Sequence, residues 1–112
     1  MSEIEQALNQ AIGQHRAGEL QAAERLYRLV LQSQPHHADA NHNLGVLLMQ
    51  VGQPQAALPY LKAALDTNPV QGQYWLSYAE GLLASGDAHG ALKAIDETKR
   101  RGLQGTQVDA LR

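Results

Sequence analysis

The amino-acid sequence predicts an all-α fold, a solenoid of three stacked helix-turn-helix repeats, because the same residues recur every 34 positions. The recurring residues are Gly18, Gly52 and Gly86, then Ala23, Ala57 and Ala91, and finally Pro35 and Pro69. A fixed period of this length is typical of two-helix repeat arrays, in which each unit contacts only its neighbours. We therefore expect a single domain over residues 1–112, with repeats at about 4–37, 38–71 and 72–105.

The first repeat is expected to contain two helices separated by a glycine turn. Ser2 is suited to cap a helix over 3–17, where apolar residues recur at helical spacing. Gly18 then ends this helix, since a left-handed residue is often needed at such a position. A second helix over about 20–33 must stop before Pro35, because the residue that precedes a proline is pushed out of the helical region.

The second and third repeats follow the same order. A helix is expected over about 38–51, and its partner opens with Pro54, which favours the first helical turn, and ends before Pro69. The third repeat is expected to form helices over about 73–85 and 88–101. The sequence therefore predicts six helices in three antiparallel pairs.

Small residues occupy equivalent positions in all repeats, and they predict that the helices pack closely. In the first helices these residues are Ala11, Gly45 and Ala79, and in the second helices they are Ala23, Ala57 and Ala91. Larger side chains are expected to fill the next layer, namely Tyr27, Leu61 and Ile95. About three stacked repeats are needed before such a fold is stable, so this chain has the minimum number.

The C-terminal end departs from the repeat pattern. Leu103 stands where a third proline is expected, and residues 106–112 are predicted to form a partial capping helix. Val108 and Leu111 would cover the last helix pair, since repeat arrays need their terminal apolar face shielded from water. The alternatives are that the array continues in a longer protein or that a second copy covers the end around Ile95, giving a homodimer.

Composition and charge exclude several classes of function. The net charge of −2 gives no electrostatic basis for binding nucleic acid or an anionic membrane, and no cysteine is available for disulfides or thiolate chemistry. The N-terminus lacks the basic start and apolar run of a signal peptide, and the longest apolar stretch, 46–49, is far shorter than a membrane span. We therefore expect a cytoplasmic protein that does not associate with membranes.

No arrangement of residues predicts catalysis, a cofactor or a metal ion. The spacing of His36, Asp39 and His42 resembles part of a metal site, but His15 and His89 lie in other repeats and cannot complete the ligand set that structural zinc needs. No Ser-His-Asp grouping stands out, and the glycines are turn residues and not a phosphate-binding loop. The sequence therefore predicts a non-catalytic protein without cofactor or metal.

A common signature recurs in the three repeats. The second repeat carries it in Asn43, Leu44, Gly45, Leu48, Gly52, Ala57, Leu61 and Pro69. The third carries it in Trp75, Tyr78, Ala79, Leu82, Gly86, Ala91 and Ile95. The first has Asn9, Gln10 and Ala11 in place of the Leu-Gly pair, but it retains Gly18, Ala23, Tyr27 and Pro35. With this signature, the chain resembles the tetratricopeptide repeat family over residues 4–105.

The resemblance implies a right-handed superhelix whose first helices line a concave groove that binds a peptide segment of a partner protein. The groove residues that it implies are Glu5, Leu8, Asn9, Ile12, Arg16, Asp39, His42, Asn43, Val46, Met49, Gln50, Gln73, Leu76, Ser77, Glu80 and Leu83. This set combines apolar side chains with amides, which suits an extended or helical peptide.

Two specialised groups within this family have binding residues that can be sought at the matching positions of this chain. Members that bind the acidic tail of chaperones use a lysine-asparagine-asparagine-lysine-arginine set at places that here read Leu8, Ile12, Asn43, Gln73 and Ser77. Only Asn43 agrees and every cation is missing, so tail binding is not expected. Asn9 and Asn43 resemble the asparagine ladder in the repeats of O-linked N-acetylglucosamine transferases, with Ser77 at the third place. The alternative function is therefore a recognition segment of a larger bacterial glycosyltransferase- or sulfotransferase-type protein.

Overall fold

The computed structural model describes residues 2–103, and these residues form six α-helices in three consecutive pairs. The helices are α1 (Glu3–Arg16), α2 (Leu20–Ser33), α3 (Ala38–Gln50), α4 (Pro54–Thr67), α5 (Gly72–Ala84) and α6 (Ala88–Arg100). Each predicted helix is confirmed to within one residue at either end. The capping helix expected over 106–112, with Val108 and Leu111, lies outside the described residues.

Side-chain caps and a proline start four of the helices. The hydroxyl of Ser2 accepts a hydrogen bond from the backbone N–H of Glu5, as expected for the start of α1. His37 Nδ1 and an Asp87 carboxylate oxygen play the same part at the starts of α3 and α6. Pro54 occupies the first turn of α4, where its missing N–H has no intrahelical acceptor anyway.

The turn that ends the first helix of each pair is built identically in all three repeats. Gly18, Gly52 and Gly86 have φ values of 82°, 79° and 90°, the left-handed region that glycine enters without steric penalty. The residue after each glycine donates its N–H to a carbonyl five residues earlier, at 2.8–2.9 Å. This is the Schellman arrangement, and it fixes the angle at which the chain enters the second helix.

The third repeat ends differently from the first two. The second helices α2 and α4 end just before Pro35 and Pro69, whereas α6 ends at Arg100 and is followed by Gly102, which has φ 74°. Leu103 N–H then donates to Thr98 O at 2.8 Å, so α6 uses the glycine turn of a first helix. The absence of a proline at 103 therefore changes how the last helix stops.

Each helix packs against its pair partner and against the next repeat, which makes the array an α-solenoid. The small residues predicted at the helix contacts are all buried, as are the larger residues of the next layer. The Leu61 side chain leaves little room for a side chain at Gly45 or Gly81. A Cβ added to Gly45 would lie 2.5 Å from Leu61 Cδ2, and one added to Gly81 would lie 3.0 Å from Leu61 Cδ1. Leu61 of α4 is thus wedged between the backbones of α3 and α5.

No helix within residues 2–103 combines the length and the apolar character that a membrane crossing requires. Over the same residues, no three His, Asp or Glu side chains gather closely enough to hold a metal ion.

Candidate functional site

Polar side chains link the first helices of neighbouring repeats, and they define one face of the array. His15 Nε2 lies 2.5 Å from Gln50 Oε1, and His42 Nε2 lies 2.7 Å from Ser77 Oγ. The Tyr74 hydroxyl donates to the Asp39 carboxylate, and each of the three pairs is separated by 35 residues. The repeat is 34 residues long, so the equivalents of His15, Asp39 and His42 in the next repeat are residues 49, 73 and 76. The partner of each side chain is the residue directly after that equivalent. Helices α1, α3 and α5 therefore form a continuous face that is held together by repeated contacts.

This face contains a hollow between α1 and α3, which we call the first hollow. Its volume is about 350 Å³. The residues that line it are Ile12, His15, Arg16, Tyr27, Asn43 and Gln50. Most of these side chains carry polar groups, so the first hollow offers hydrogen-bond donors and a cation.

The same face contains a second hollow between α3 and α5, with a volume of about 220 Å³. The residues that line it are Val46, Met49, Gln50, Leu61, Ser77 and Glu80. Five of these six residues lie 34 positions after a residue of the first hollow and are therefore its equivalents in the next repeat. The corresponding residues of the first hollow are Ile12, His15, Arg16, Tyr27 and Asn43. Because Gln50 lines both hollows, they adjoin, and we refer to the two together as the groove.

Hydrogen bonding fixes the protonation pattern beside the first hollow. The carbonyl oxygen of Gln50 can only accept, so His15 Nε2 donates to it, and Nδ1, at 2.9 Å from the Tyr27 hydroxyl, accepts from that group in the neutral imidazole. Burial raises the pKa of Tyr27 to about 12, and the positive charge of Arg16 opposes part of that rise. Tyr27 is therefore a neutral donor at physiological pH.

Burial also sets the charge state of the polar groups between α3 and α5. Desolvation lowers the pKa of His42 below its ordinary value of 6.5, although the hydrogen bond with Asn43 and the charge of Asp39 act in the opposite direction. Burial, and then the hydrogen bond to Asp39, raise the pKa of Tyr74. His42 and Tyr74 are consequently neutral near pH 7, and their rings lie 4.8 Å apart between centroids.

The structure places the predicted groove residues in two groups. Leu8, Leu76 and Ser77 are only 9%, 5% and 5% exposed. The two leucines therefore belong to the core, whereas Ser77 lines the second hollow although most of its surface is buried. The remaining predicted residues are exposed or half-buried. Those that line the two hollows are Ile12, Arg16, Asn43, Val46, Met49, Gln50 and Glu80, whereas Glu5, Asn9, Asp39, His42, Gln73 and Leu83 line neither.

Three residues of the hollows were not among the predicted groove residues. Tyr27 and Leu61 were expected to pack between repeats, and they do so while also forming the floors of the hollows. His15 was not predicted as a groove residue, although the 34-residue period could have indicated it. Met49 was predicted to face the groove, and its equivalent one repeat earlier is His15.

A third hollow, the end hollow, lies on the outer side of the last pair and is almost entirely apolar. Its volume is about 190 Å³, and its lining residues are Ala79, Leu83, Ala88, Ala91, Leu92 and Ile95. Leu83 and Leu92 are 53% and 52% exposed. The corresponding surface of the second pair is covered by α5, since Gly81 sits over Leu58 and Leu61.

Solved structures with the same fold include several helical-repeat domains. The Sgt2 TPR domain from Aspergillus fumigatus superposes with a TM-score of 0.88 at 17% identity, over 98% of this chain and 74% of that one. A mutant O-GlcNAc transferase of Thermobaculum terrenum gives a TM-score of 0.78 at 29% identity, over 83% of this chain and 18% of that one. The first of these likenesses shows the fold alone.

Curated relatives are much longer than this chain. Cellulose synthase operon protein C of Komagataeibacter sucrofermentans is 32% identical over 71 residues, which is 63% of this chain and 5% of that protein. The match to the same protein of Komagataeibacter xylinus has the same extent at 31% identity. The chain thus corresponds to a small part of the relatives that it matches.

The family model described as tetratricopeptide repeat matches residues 14–75, which is more than half of the chain. The match begins near the end of α1 and extends into α5, so it includes the whole of the second repeat as the period defines it. Together with the six paired helices and the three glycine turns, this match places the chain in the tetratricopeptide repeat family.

Proposed function

We propose that this chain binds an extended segment of a partner protein along the groove. Tetratricopeptide repeats are general protein-protein interaction modules, which supports a binding role without catalysis. The observation that carries the proposal is the pair of equivalent hollows, which adjoin at Gln50 on one face of the array. A repeated hollow suits a ligand that is itself periodic, and a polypeptide in extended form is such a ligand.

The spacing of the repeats fits an extended segment. Packed helices lie about 8–10 Å apart, and a polyproline II segment rises about 3.1 Å per residue with three residues per turn, so its side chains three positions apart project from the same side. Successive hollows would therefore receive side chains about three positions apart. Asn43 lines the first hollow and Gln50 lines both, and their amides can donate to and accept from the peptide backbone between those side chains.

Selection from a display library of random nine-residue peptides, followed by titration of the selected peptides, tests this proposal. Replacing Asn43 by Ala removes an amide from the first hollow, and we expect the dissociation constant to rise about five- to tenfold, as the loss of a hydrogen bond of about 1 kcal/mol or slightly more predicts. Gln21→Ala is the matched control, since Gln21 is exposed and lines neither hollow. Unchanged affinity in both Asn43→Ala and Gln50→Ala would contradict the proposal.

A second candidate function is a recognition segment within a larger transferase. The observation that favours it is the 29% identity to the O-GlcNAc transferase of Thermobaculum terrenum, of which this chain covers 18%. Asn9 and Asn43 provide two of the amides expected of an asparagine ladder. Sequencing the gene past the codon for Arg112 tests this candidate: a continuous reading frame that encodes a transferase domain supports it, and a stop codon at that point removes it.

A third candidate is self-association through the C-terminal end. The apolar end hollow and the exposure of Leu83 and Leu92 favour it. Ile95 is buried at the base of that hollow, and Leu103 is half-buried against the same core. Sedimentation equilibrium over a hundredfold range of concentration tests this candidate, and a constant monomer mass counts against it.

A further inference from the structure

We propose that the groove selects a peptide segment with an acidic and a basic residue about three positions apart, the acidic side chain in the first hollow and the basic one in the second. The inference rests on the proposed function, because it names the chemistry of the segment that the same groove would bind. It follows from an asymmetry between two hollows that are otherwise equivalent.

The first hollow is built to receive a carboxylate. Arg16 is exposed at its edge, and no acidic side chain among residues 2–103 pairs with it. Gln50 Oε1 is held by His15, so the amide N–H groups of Gln50 can donate elsewhere. A carboxylate is bound most strongly by charge-assisted donors, and the guanidinium of Arg16 beside the Gln50 amide supplies them.

The second hollow is built to receive a long basic side chain. Val46, Met49 and Leu61 give it apolar walls, and Glu80 stands exposed at its edge. Within the described part of the chain, Glu80 has no cationic partner. Lysine and arginine bury their aliphatic stems against apolar surface while keeping the charged end in water, so the walls suit the stem and Glu80 suits the charge.

The two hollows lie on either side of α3, so the spacing expected for the charges is that of neighbouring helices. Side chains three apart in a polyproline II segment project from the same side and are about 9.3 Å apart, close to the interaxial distance of packed helices. A segment with both charges of one sign would place a like charge beside either Arg16 or Glu80. Such a segment is therefore expected to bind more weakly than the mixed one.

The test uses the intact 112-residue chain and three blocked peptides on one alanine-proline background, with Glu and Lys, two Glu, or two Lys at positions three apart. Acetylated and amidated ends remove the terminal charges, so only side chains can supply a carboxylate. At low ionic strength we expect the mixed peptide to bind about two- to fivefold more tightly than either like-charge peptide, the size of one exposed charge pair.

Charge-reversal variants make the assignment specific. Arg16→Glu is expected to shift the preference to the two-Lys peptide, and Glu80→Lys to shift it to the two-Glu peptide. The double variant, Arg16→Glu with Glu80→Lys, should again prefer the mixed peptide, bound in the opposite direction. Arg25→Glu and Glu19→Lys are matched controls, because both residues are exposed and line neither hollow, and they should leave the preference unchanged.

The outcomes separate this inference from the proposed function. If all three peptides bind equally to the wild type and to the reversal variants, while Asn43→Ala still weakens them, the charge inference is wrong and the groove remains the binding site. If binding is absent, or indifferent to Asn43 as well as to Arg16 and Glu80, both proposals are wrong.

Discussion

Asn41 and Trp75 occupy equivalent positions one repeat apart, and each donates a hydrogen bond to the carbonyl of the proline six residues before it. Asn41 Nδ2 lies 3.0 Å from Pro35 O, and Trp75 Nε1 lies 2.8 Å from Pro69 O. Two unrelated side chains thus make the same bond. In each case the proline that ends the previous helix is tied to the first turns of the next one, which orients neighbouring repeats.

Replacing Asn41 by Ala tests whether this bond contributes to stability. Asn41 is buried, and its amide also bonds His37 O at 3.1 Å, so the change removes two hydrogen bonds and leaves Pro35 O without a donor, while His37 O keeps the backbone N–H of residue 41. We expect the free energy of unfolding, measured by urea denaturation, to fall by about 1–3 kcal/mol. Asn43→Ala, the same change two residues on at the groove surface, should cost less than about 1 kcal/mol, and an equal loss in both variants would contradict this role.

The helices were predictable from the sequence because their ends are set by local chemistry. Gly18, Pro35 and Ser2 act through backbone conformation and single hydrogen bonds, which short stretches of sequence determine. The groove was only partly predictable, because its contacts depend on how one repeat is displaced relative to the next. The period alone gives no reason for His42 to meet Ser77 at a separation of 35.

The burial of Leu8 and Leu76 has the same origin. Both lie on the first helix of a pair, as the groove residues do, but the rotation of the helix turns this position toward the neighbouring elements. The polar residue at the equivalent position, His42, is only half-buried and is hydrogen-bonded to Ser77. For residues at the border between the groove face and the core, such as Leu8 and Leu76, helical spacing alone does not decide on which side the residue lies.

Gly45 provides a prediction about packing. A Cβ at this position would lie 2.5 Å from Leu61 Cδ2 and 3.3 Å from its backbone nitrogen, so Gly45→Ala must either displace the buried Leu61 side chain or move α3 away from α4. We expect a loss of about 1–3 kcal/mol in the free energy of unfolding, and a larger loss for Gly45→Leu. Gly13→Ala is the matched control, because a Cβ there meets no atom within 4 Å, and it should stabilise the chain by about 0.5–1 kcal/mol.

A coupled substitution distinguishes overpacking from a general effect at Gly45. Leu61→Ala alone should cost about 2–5 kcal/mol, since its side chain is fully buried. Combined with Gly45→Ala, the total loss should be smaller than the sum of the two single losses, because the clash disappears with the leucine. Additive losses would show that Gly45 and Leu61 act independently.

The lowered pKa of His42 predicts a dependence of stability on pH. The unfolded chain takes up a proton on this imidazole near its ordinary pKa of 6.5, whereas the folded chain resists it because of burial, so folding favours the neutral form. Its contribution to stability is therefore fully present above pH 6.5 and is lost as the pH falls toward the lower pKa of the folded state. Asp39 and Tyr74 face the same ring, and the carboxylate of Asp39 reduces the effect without reversing it.

Urea denaturation between pH 7.5 and pH 5 measures this dependence. His42→Gln should show a shallower loss of stability over that range than the wild type. His89→Gln should retain the wild-type slope, since His89 is exposed. Identical slopes in all three proteins would show that His42 does not contribute.

Tyr27 provides the last prediction, because its hydroxyl belongs both to the core and to the first hollow. The side chain is fully buried, and its hydroxyl donates to His15 Nδ1 at 2.9 Å. Tyr27→Phe should lower the free energy of unfolding at pH 7 by about 0.5–1.5 kcal/mol, the usual value of one hydrogen bond. Tyr78→Phe is the control, since no hydrogen bond joins the Tyr78 hydroxyl to another residue of the described chain, and it should change stability by less.

The raised pKa of Tyr27 adds a second measurement on the same variant. Folding favours the neutral phenol, so its contribution is present below the ordinary pKa of 10 and is lost as the pH rises through about 12. Between pH 9 and pH 11 the wild type should therefore lose stability more steeply than Tyr27→Phe. If the free energy of unfolding of the two proteins changed with pH in parallel, the phenol would ionise as readily in the folded chain as in the unfolded one. Burial beside His15 would then not raise the pKa of Tyr27.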